Sequence, residues 1–345
     1  MVTRRTDVVE TKEGLSMIIS AVIPVYNEEE SLSRLHEELS GVAADHDYNL
    51  EIIFVDDGSQ DGTWAVIESL AARDTRVQGI RFRRNFGKAA ALRAGFQEVK
   101  GDIVFTLDGD LQDDPAEIPR FLEAIDGGLD VVSGWKKVRH DPWHKVGPSR
   151  VFNWLVSRVT GVRLHDHNCG FKAYRRPLLS EIRLYGEMHR FIPVLASARG
   201  WKAGEVVVNH RKREYGKSKY GVLRMVKGFL DLLTVTFLTG FGQRPQHFLG
   251  TLGLVAFAVG GLGLSVLTGC WVFTRAVAGY EPLHLHERAV FYFSIVSLLL
   301  GAQVMSVGVL AEMITAQRNR DEAFYSISQK TAGGDDGGDL LTEDA

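Results

Sequence analysis

The stretch Phe105-Thr106-Leu107-Asp108-Gly109-Asp110-Leu111-Gln112 decides how this chain is read. An apolar strand ends there, two carboxylates follow at spacing i, i+2, and an amide oxygen comes two residues later. Strand side chains alternate between faces, so Asp108 and Asp110 are expected to project the same way from the strand end. Hard oxygen ligands of this kind suit Mg²⁺ or Mn²⁺, which keep further positions for phosphate oxygens. An isolated Asp-x-Asp is more often a plain acidic turn, so the flanking sequence has to decide.

On either side of this stretch the chain repeats strand, turn and helix. Apolar runs rich in Ile and Val predict strands over 17–25, 51–55, 77–82, 102–107 and 130–133. Helical spacing predicts helices over 28–43, 61–72, 87–99 and 115–125. Continuous apolar strands alternating with helices imply a parallel sheet covered on both faces. Ligands of such sheets bind beyond the carboxyl ends of the strands. Tyr26, Asp56, Asp57, Asn85, Asp108 and Asp110 all fall at or just past those ends.

Three more motifs occupy successive strand ends. Pro24-Val25-Tyr26-Asn27-Glu28 closes the first strand, with a ring to flank a nucleotide and a carboxylate to accept sugar hydroxyls. Asp56-Asp57-Gly58-Ser59-Gln60-Asp61-Gly62-Thr63 closes the second; a carboxylate here can accept a base N–H or ribose hydroxyls, while Ser59 or Asp61 serves equally as a helix N-cap. Asn85-Phe86-Gly87-Lys88 opens the third helix, where the helix terminus and Lys88 together favour an anion.

With these four motifs in order, residues 17–220 resemble a family 2 glycosyltransferase of the GT-A fold, an α/β arrangement with a Rossmann-like, mainly parallel sheet. Within that family the chain resembles the polyprenyl-phosphate (dolichol-phosphate-type) glycosyltransferases. The resemblance implies that Pro24, Tyr26, Glu28 and Asp57 frame the nucleotide. It also implies that Asp108, Asp110 and Gln112 surround Mg²⁺ or Mn²⁺, with Asp108 near the sugar or ribose. Lys88 is grouped with the nucleotide-sugar contacts, and Asp110 with the catalytic residues.

His165-Asp166-His167-Asn168-Cys169-Gly170-Phe171-Lys172 resembles the family's acceptor-side segment, where many relatives carry Asp-Pro-Thr-Ser-Gly-Phe-Arg. Asp166 is the expected acting carboxylate. A zinc site is disfavoured because its ligands would crowd within five residues. A lipid phosphate is already mostly ionised at neutral pH, so Asp166 acts either as a base or as an orienting group. Donor and acceptor are both anionic, and the metal with Lys136, Arg150 and Arg139 can offset their repulsion. The basic run Arg213–Gly221, with Lys217 and Lys219, reads as a flexible phosphate-binding loop or as a juxtamembrane anchor. His189 and Arg190 fit either the acceptor sugar pocket or a structural role.

Hydropathy divides the chain. The runs 248–274 and 289–311 carry no Asp, Glu, Lys or Arg, and each exceeds the roughly 20 apolar residues that cross a bilayer core. They predict a transmembrane hairpin whose glycines, Gly250, Gly253, Gly260, Gly261 and Gly263, permit close helix packing. Basic flanks (Lys217, Lys219, Arg224, Lys227 and Arg244 before, Arg318 and Arg320 after) place both chain ends and the catalytic domain in the cytoplasm. Residues 220–241 are mostly apolar but carry Arg224, Lys227 and Asp231. They read as amphipathic helices on the membrane surface, or as a helix packed on the soluble core.

The expected organisation is a tail over 1–16, a GT-A domain over 17–220, juxtamembrane helices over 221–245, a hairpin over 246–315 and a disordered tail over 316–345. The first twenty residues lack the apolar core of a signal peptide. Two cysteines give no disulfide framework, and a net charge of −3 does not favour nucleic acid. The expected partners are a nucleotide-sugar donor, an undecaprenyl- or dolichyl-type polyprenyl phosphate and the bilayer; homo-oligomerisation is left open. The expected activity is inverting transfer of one sugar to the lipid phosphate. A polysaccharide synthase is the alternative enzyme, but its Gln-x-x-Arg-Trp motif is missing. A membrane protein that binds nucleotide sugars without turnover is the non-catalytic alternative.

Overall fold

The computed structural model describes residues 17–137, 143–182, 184, 186–211, 223–240 and 244–321. The basic run with Lys217 and Lys219, Arg139, the N-terminal tail and residues beyond 321 lie outside that set. The described chain divides into two units, 1–248 and 249–345.

The first unit is built on β1 (Ile18–Val25), β2 (Asn49–Asp56), β3 (Val77–Arg81), β4 (Ile103–Thr106), β5 (Val131–Trp135), β6 (Lys172–Arg175) and β7 (Ala203–Val207). They form one sheet in the order β3-β2-β1-β4-β6-β5-β7. β6 runs antiparallel to both neighbours, and every other pairing is parallel. The side-chain period of two explains the unbroken apolar strands. Ile19, Ala21, Ile23 and Val25 of β1 enter one core cluster, and Val22 enters the other. In β2, Leu50, Ile52 and Phe54 face the first cluster, Ile53 and Val55 the second. Both faces are therefore buried, as parallel strands require.

Helices α1 (Leu32–Asp45), α2 (Thr63–Arg73) and α4 (Ile118–Asp126) cover the first face. Helices α3 (Lys88–Glu98), α5 (Trp143–Thr160), α6 (Arg176–Glu181), α7 (Ile192–Ser197) and α8 (Leu223–Gly240) contribute to the second. β1 pairs with β2 on one side and β4 on the other, so the chain's direction of winding changes between β1 and β4. That is where an open α/β sheet forms its ligand crevice, and the 26–28 and 108–112 segments leave the sheet there.

The structure moves two expectations. β4 ends at Thr106, so Asp108 and Asp110 lie in the following turn, and strand alternation does not orient them. β6 was not expected: its Lys172 is 3% exposed, and a buried lysine in a four-residue strand breaks the apolar pattern that marks strands.

α8 packs on the soluble core through one face only. Leu232 and Val235 are buried in the second cluster, while Phe229, Leu230 and Leu233 are exposed. Val151 and Trp154 of α5, which packs on α8, are exposed as well.

The second unit contains most of α9 (Pro245–Ala276) and all of α10 (Ala289–Asp321). Pro245–Ala276 (32 residues) and Ala289–Thr315 (27 residues) are long and apolar enough to cross a membrane: 18-residue stretches within them have mean hydropathies of 1.9 and 2.0, with little of either stretch buried. The two helices pack through glycine: a Cβ on Gly260 would lie 2.4 Å from the Leu298 nitrogen, and one on Gly301 2.4 Å from that of Phe257. Ser297 Oγ donates across to the Ala256 carbonyl at 3.1 Å.

Candidate active site

The turn after β4 is locked by its own side chains. The Gln112 amide donates to Asp110 Oδ1 at 3.2 Å, and that of Asp108 donates to Asp113 Oδ2 at 3.4 Å. Leu111 adopts φ 61°, a left-handed conformation costly for a bulky residue; its side chain is held in the first core cluster. Ser31 Oγ, at the start of α1, donates to the Gly109 carbonyl at 2.6 Å. The loops after β1 and β4 are thereby fastened together.

Asp108 is half-exposed and paired with Lys88 at the start of α3. Burial works against its charge, but Lys88, reinforced by Lys136 and His189, holds the carboxyl well below the usual carboxylate range. The Gly170 backbone lies directly against this carboxylate: a Cβ there would stand 2.5 Å from Oδ2 and 2.8 Å from Oδ1. Asp110 is 6% exposed. Gln112 Nε2 donates to the Arg211 carbonyl at 3.4 Å, and of the side chain's two polar atoms the amide oxygen is the kind that suits a hard cation.

Two carboxylates and one amide oxygen fit a hard divalent cation that completes its shell with phosphate oxygens and water. Among the described residues no three His, Cys, Asp or Glu side chains form a cluster that could hold a metal by themselves. The same observation gives no support to zinc at His165–Cys169. There burial, with Asp113 and Asp166 adding to it and Lys136 opposing, pushes the Cys169 thiol up to about 12.

On the donor side, Asn27 takes φ 56° and ties the first loop to the second. Its amide donates to Ser59 Oγ and its Oδ1 accepts from the Gln60 amide, both at 2.9 Å. The Glu28 amide donates to Thr63 Oγ1 at 2.9 Å. Pro24, Tyr26 and Glu28 are part-buried along this seam. Asp57 is buried and accepts from the amides of Phe86 and Gly87 at 2.6 and 2.9 Å. Burial raises its pKa, and those two amides pull it back only in part. Asp57 thus sets the turn that presents Lys88. Beside it, Gly58, Ser59, Arg81, Phe82 and Arg83 line an open cleft of 420 Å³.

On the other side of the crevice, Asp166 is buried and accepts from the Asn168 amide at 3.1 Å. The Gly170 carbonyl accepts from Thr106 Oγ1 at 2.8 Å, and that of Cys169 accepts from Lys172 Nζ. Burial pushes Lys172 down to about 8, despite the nearby Cys169, Asp166 and Asp108. Lys136 is paired with buried Asp113 at 2.9 Å. Burial opposes its charge, but Asp113 holds it well above the usual lysine range. Arg150 is exposed on α5.

The structure therefore gathers Lys88, Asp108, Asp110 and Gln112 beyond β1 and β4, and ties Asp57 to that group through the 85–88 turn. It gives Lys136 a carboxylate partner already and leaves Arg150 on the surface. Asp113 and Lys172 are the site residues that sequence reasoning missed. Asp113 directly follows the quoted stretch, and Lys172 closes the His165–Lys172 segment.

Residues 20–183 match the family described as Glycosyl transferase family 2. The chain is 37% identical over 313 residues to the dodecaprenyl-phosphate galacturonate synthase of Rhizobium johnstonii, covering 89% of this chain and 90% of the relative. It is 36% identical over 297 residues to the undecaprenyl-phosphate 4-deoxy-4-formamido-L-arabinose transferase of Salmonella paratyphi A, covering 86% and 88%. Among solved structures, the glucosyl-3-phosphoglycerate synthase of Mycobacterium tuberculosis, in complex with phosphoglyceric acid, aligns with a TM-score of 0.50 at 19% identity. It covers 65% of this chain and 80% of that one, a likeness of fold.

Proposed function

This chain belongs to glycosyl transferase family 2, and on that premise we propose that it is a membrane enzyme that moves one sugar from a nucleotide-sugar donor to a polyprenyl phosphate. The observation that carries the reading is the near-full-length similarity to two enzymes named for polyprenyl-phosphate acceptors. It is joined to a crevice whose Asp108, Asp110 and Gln112 suit a metal-held diphosphate. Those relatives differ in the sugar they are named for, so the similarity narrows the acceptor more than the donor.

Asp108, Asp110 and Gln112 would hold Mg²⁺ or Mn²⁺, which when bound offsets charge on the departing nucleoside diphosphate. Lys88 keeps Asp108 ionised and adds a positive charge at the N-terminus of α3, where diphosphate oxygens are favoured. Asp57 fixes that turn, while Pro24, Tyr26 and Glu28 frame the nucleotide. The lipid phosphate attacks the anomeric carbon as the bond to the diphosphate breaks, inverting that centre. A phosphate nucleophile is already ionised, so buried Asp166 orients the acceptor side and need not take a proton. Arg150, Lys217 and Lys219 supply cationic contacts to the phosphates, and Lys136 with Asp113 supports the turn from beneath.

Residues 17–220 form the catalytic domain, and α8 lies with its exposed apolar face at the membrane surface. The hairpin spans the membrane, with the catalytic domain and both chain ends on the cytoplasmic face. The test is nucleoside diphosphate release by protein in vesicles, offered UDP- and GDP-sugars with Mg²⁺ or Mn²⁺. The reading expects release only when undecaprenyl phosphate is present. Equal release without the lipid, or none with any donor, would contradict it.

A further inference from the structure

The turn that carries Asp108, Asp110 and Gln112 contains the left-handed Leu111, φ 61°. Such a conformation persists only where its surroundings over-determine it. Leu111 itself is held in the first core cluster. The residue after it, Gln112, is held by Arg211, just past β7. The Arg211 amide donates to the Gln112 carbonyl at 3.0 Å, and Gln112 Nε2 donates back to the Arg211 carbonyl at 3.4 Å. Next to this pair, Asp113 forms an antiparallel bridge with His210. The Arg211 guanidinium then spans two carboxylates. One terminal nitrogen donates to Glu38 Oε2 of α1 at 2.6 Å, the other to Asp114 Oδ1 at 2.7 Å. Asp114 also caps the one-turn helix Pro115–Glu117, accepting from the Ala116 amide at 3.1 Å, and α1 packs against that helix.

Ion pairs on an open surface contribute little. Here the Arg211, Glu38 and Asp114 side chains are 29%, 22% and 13% exposed, so solvent screens them less. A planar fork between two carboxylates also fixes direction as well as charge. We propose that Arg211 is a positioning residue for the cation site. Its guanidinium pins the Arg211 backbone to α1 and Asp114, and that backbone holds Gln112. The Gln112 amide in turn donates to Asp110 Oδ1 at 3.2 Å, so the clamp reaches the second carboxylate as well. The inference rests on the nucleotide-sugar reading above, in which these residues hold Mg²⁺ or Mn²⁺. Removing a partner behind a metal ligand typically weakens metal affinity by roughly 10- to 100-fold.

The test measures binding of trace labelled UDP or GDP to the full-length protein in phosphatidylcholine vesicles as Mn²⁺ is raised. Arg211→Ala should increase the Mn²⁺ concentration at half-saturation by about tenfold. Sugar transfer to undecaprenyl phosphate should fall at limiting Mn²⁺ and return to within about twofold of wild type at saturating Mn²⁺. Arg211→Lys keeps the charge, but a point ammonium does not span both carboxylates, so its Mn²⁺ requirement should lie between those of wild type and Arg211→Ala. Glu38→Gln removes one arm and should shift the requirement in the same direction. Arg34 pairs with Glu38 from a more exposed position, at 3.1 Å, and Arg34→Gln should leave the requirement within about twofold of wild type.

An unchanged Mn²⁺ requirement in Arg211→Ala would overturn the inference. So would a loss of transfer that saturating Mn²⁺ does not restore, because a merely structural role is not rescued by metal. If Arg211→Ala does not fold, Arg211→Lys and Glu38→Gln decide: a raised requirement in both supports the clamp, and wild-type behaviour in either overturns it. If wild type binds neither nucleotide more tightly with Mn²⁺, the functional reading falls and this inference with it. Mn²⁺-dependent binding by wild type with an indifferent Arg211 overturns this inference alone.

Discussion

Gly170→Ala is a one-carbon change aimed at the centre of the site. The added Cβ would lie 2.5 Å from Asp108 Oδ2, 2.7 Å from Cγ and 2.8 Å from Oδ1, against an ordinary contact of at least 3.4 Å. The φ of Gly170 lies outside the left-handed region, so alanine brings no backbone strain of its own. The collision is therefore the whole perturbation. The Gly170 backbone cannot readily yield, since its carbonyl is held by Thr106 Oγ1 and the preceding carbonyl by Lys172. The Asp108 carboxylate must retreat by about 0.9 Å, and a misplacement near 1 Å costs on the order of 10²-fold in rate. That corresponds to about 2.7 kcal/mol of barrier. The assay is the initial rate of sugar transfer to undecaprenyl phosphate in vesicles, with thermal unfolding and nucleoside diphosphate affinity as controls. A folded Gly170→Ala protein with kcat within about twofold of wild type would refute the placement of Asp108 at the reacting centre.

Other outcomes follow from the same geometry. Asp110→Ala should abolish transfer and leave the protein folded and membrane-bound, and a chelator should do the same reversibly; full activity in either case removes the metal from the account. Lys172 is pushed down from 10.5 to about 8, so its charge is complete only below pH 8. Transfer should fall along an alkaline limb centred near pH 8, and Lys172→Arg, charged throughout, should move that limb upward; superimposable profiles would exclude this charge from the reaction. The stability effect has the opposite sign. Between about 8 and 10.5 the unfolded chain holds a proton on Lys172 that the folded chain does not, so stability rises with pH across that window, and Lys172→Arg should lack the rise. Gly260→Leu should loosen the hairpin, because even a Cβ there meets the Leu298 backbone at 2.4 Å. Detergent-solubilised protein should melt earlier with nucleoside diphosphate affinity intact; an unchanged melt would contradict close packing of α9 on α10.

The parallel part of the sheet was legible because burial on both faces leaves an unmistakable signal, as in Ile18–Val25 and Asn49–Asp56. The two apolar C-terminal helices were legible for a similar reason: each is a long run without Asp, Glu, Lys or Arg. β6 was hidden because its buried member is a lysine, held by a carbonyl that sequence spacing does not reveal. The strand-end carboxylates and amide were visible as residue types, but their orientation was not. β4 stops at Thr106, and the turn beyond depends on a left-handed Leu111 and on Asp113, reached through the long-range partners His210 and Lys136. α8 gave an ambiguous pattern because the helix is physically two-sided, with Leu232 and Val235 inward and Phe229 and Leu233 outward.

The most direct measurement is the mass of the lipid made from undecaprenyl phosphate and the accepted nucleotide sugar by the purified, membrane-reconstituted protein. The account predicts a single sugar joined to the lipid through one phosphate, with inverted anomeric configuration. A lipid carrying two phosphates, or a polymer of several sugars, would contradict it.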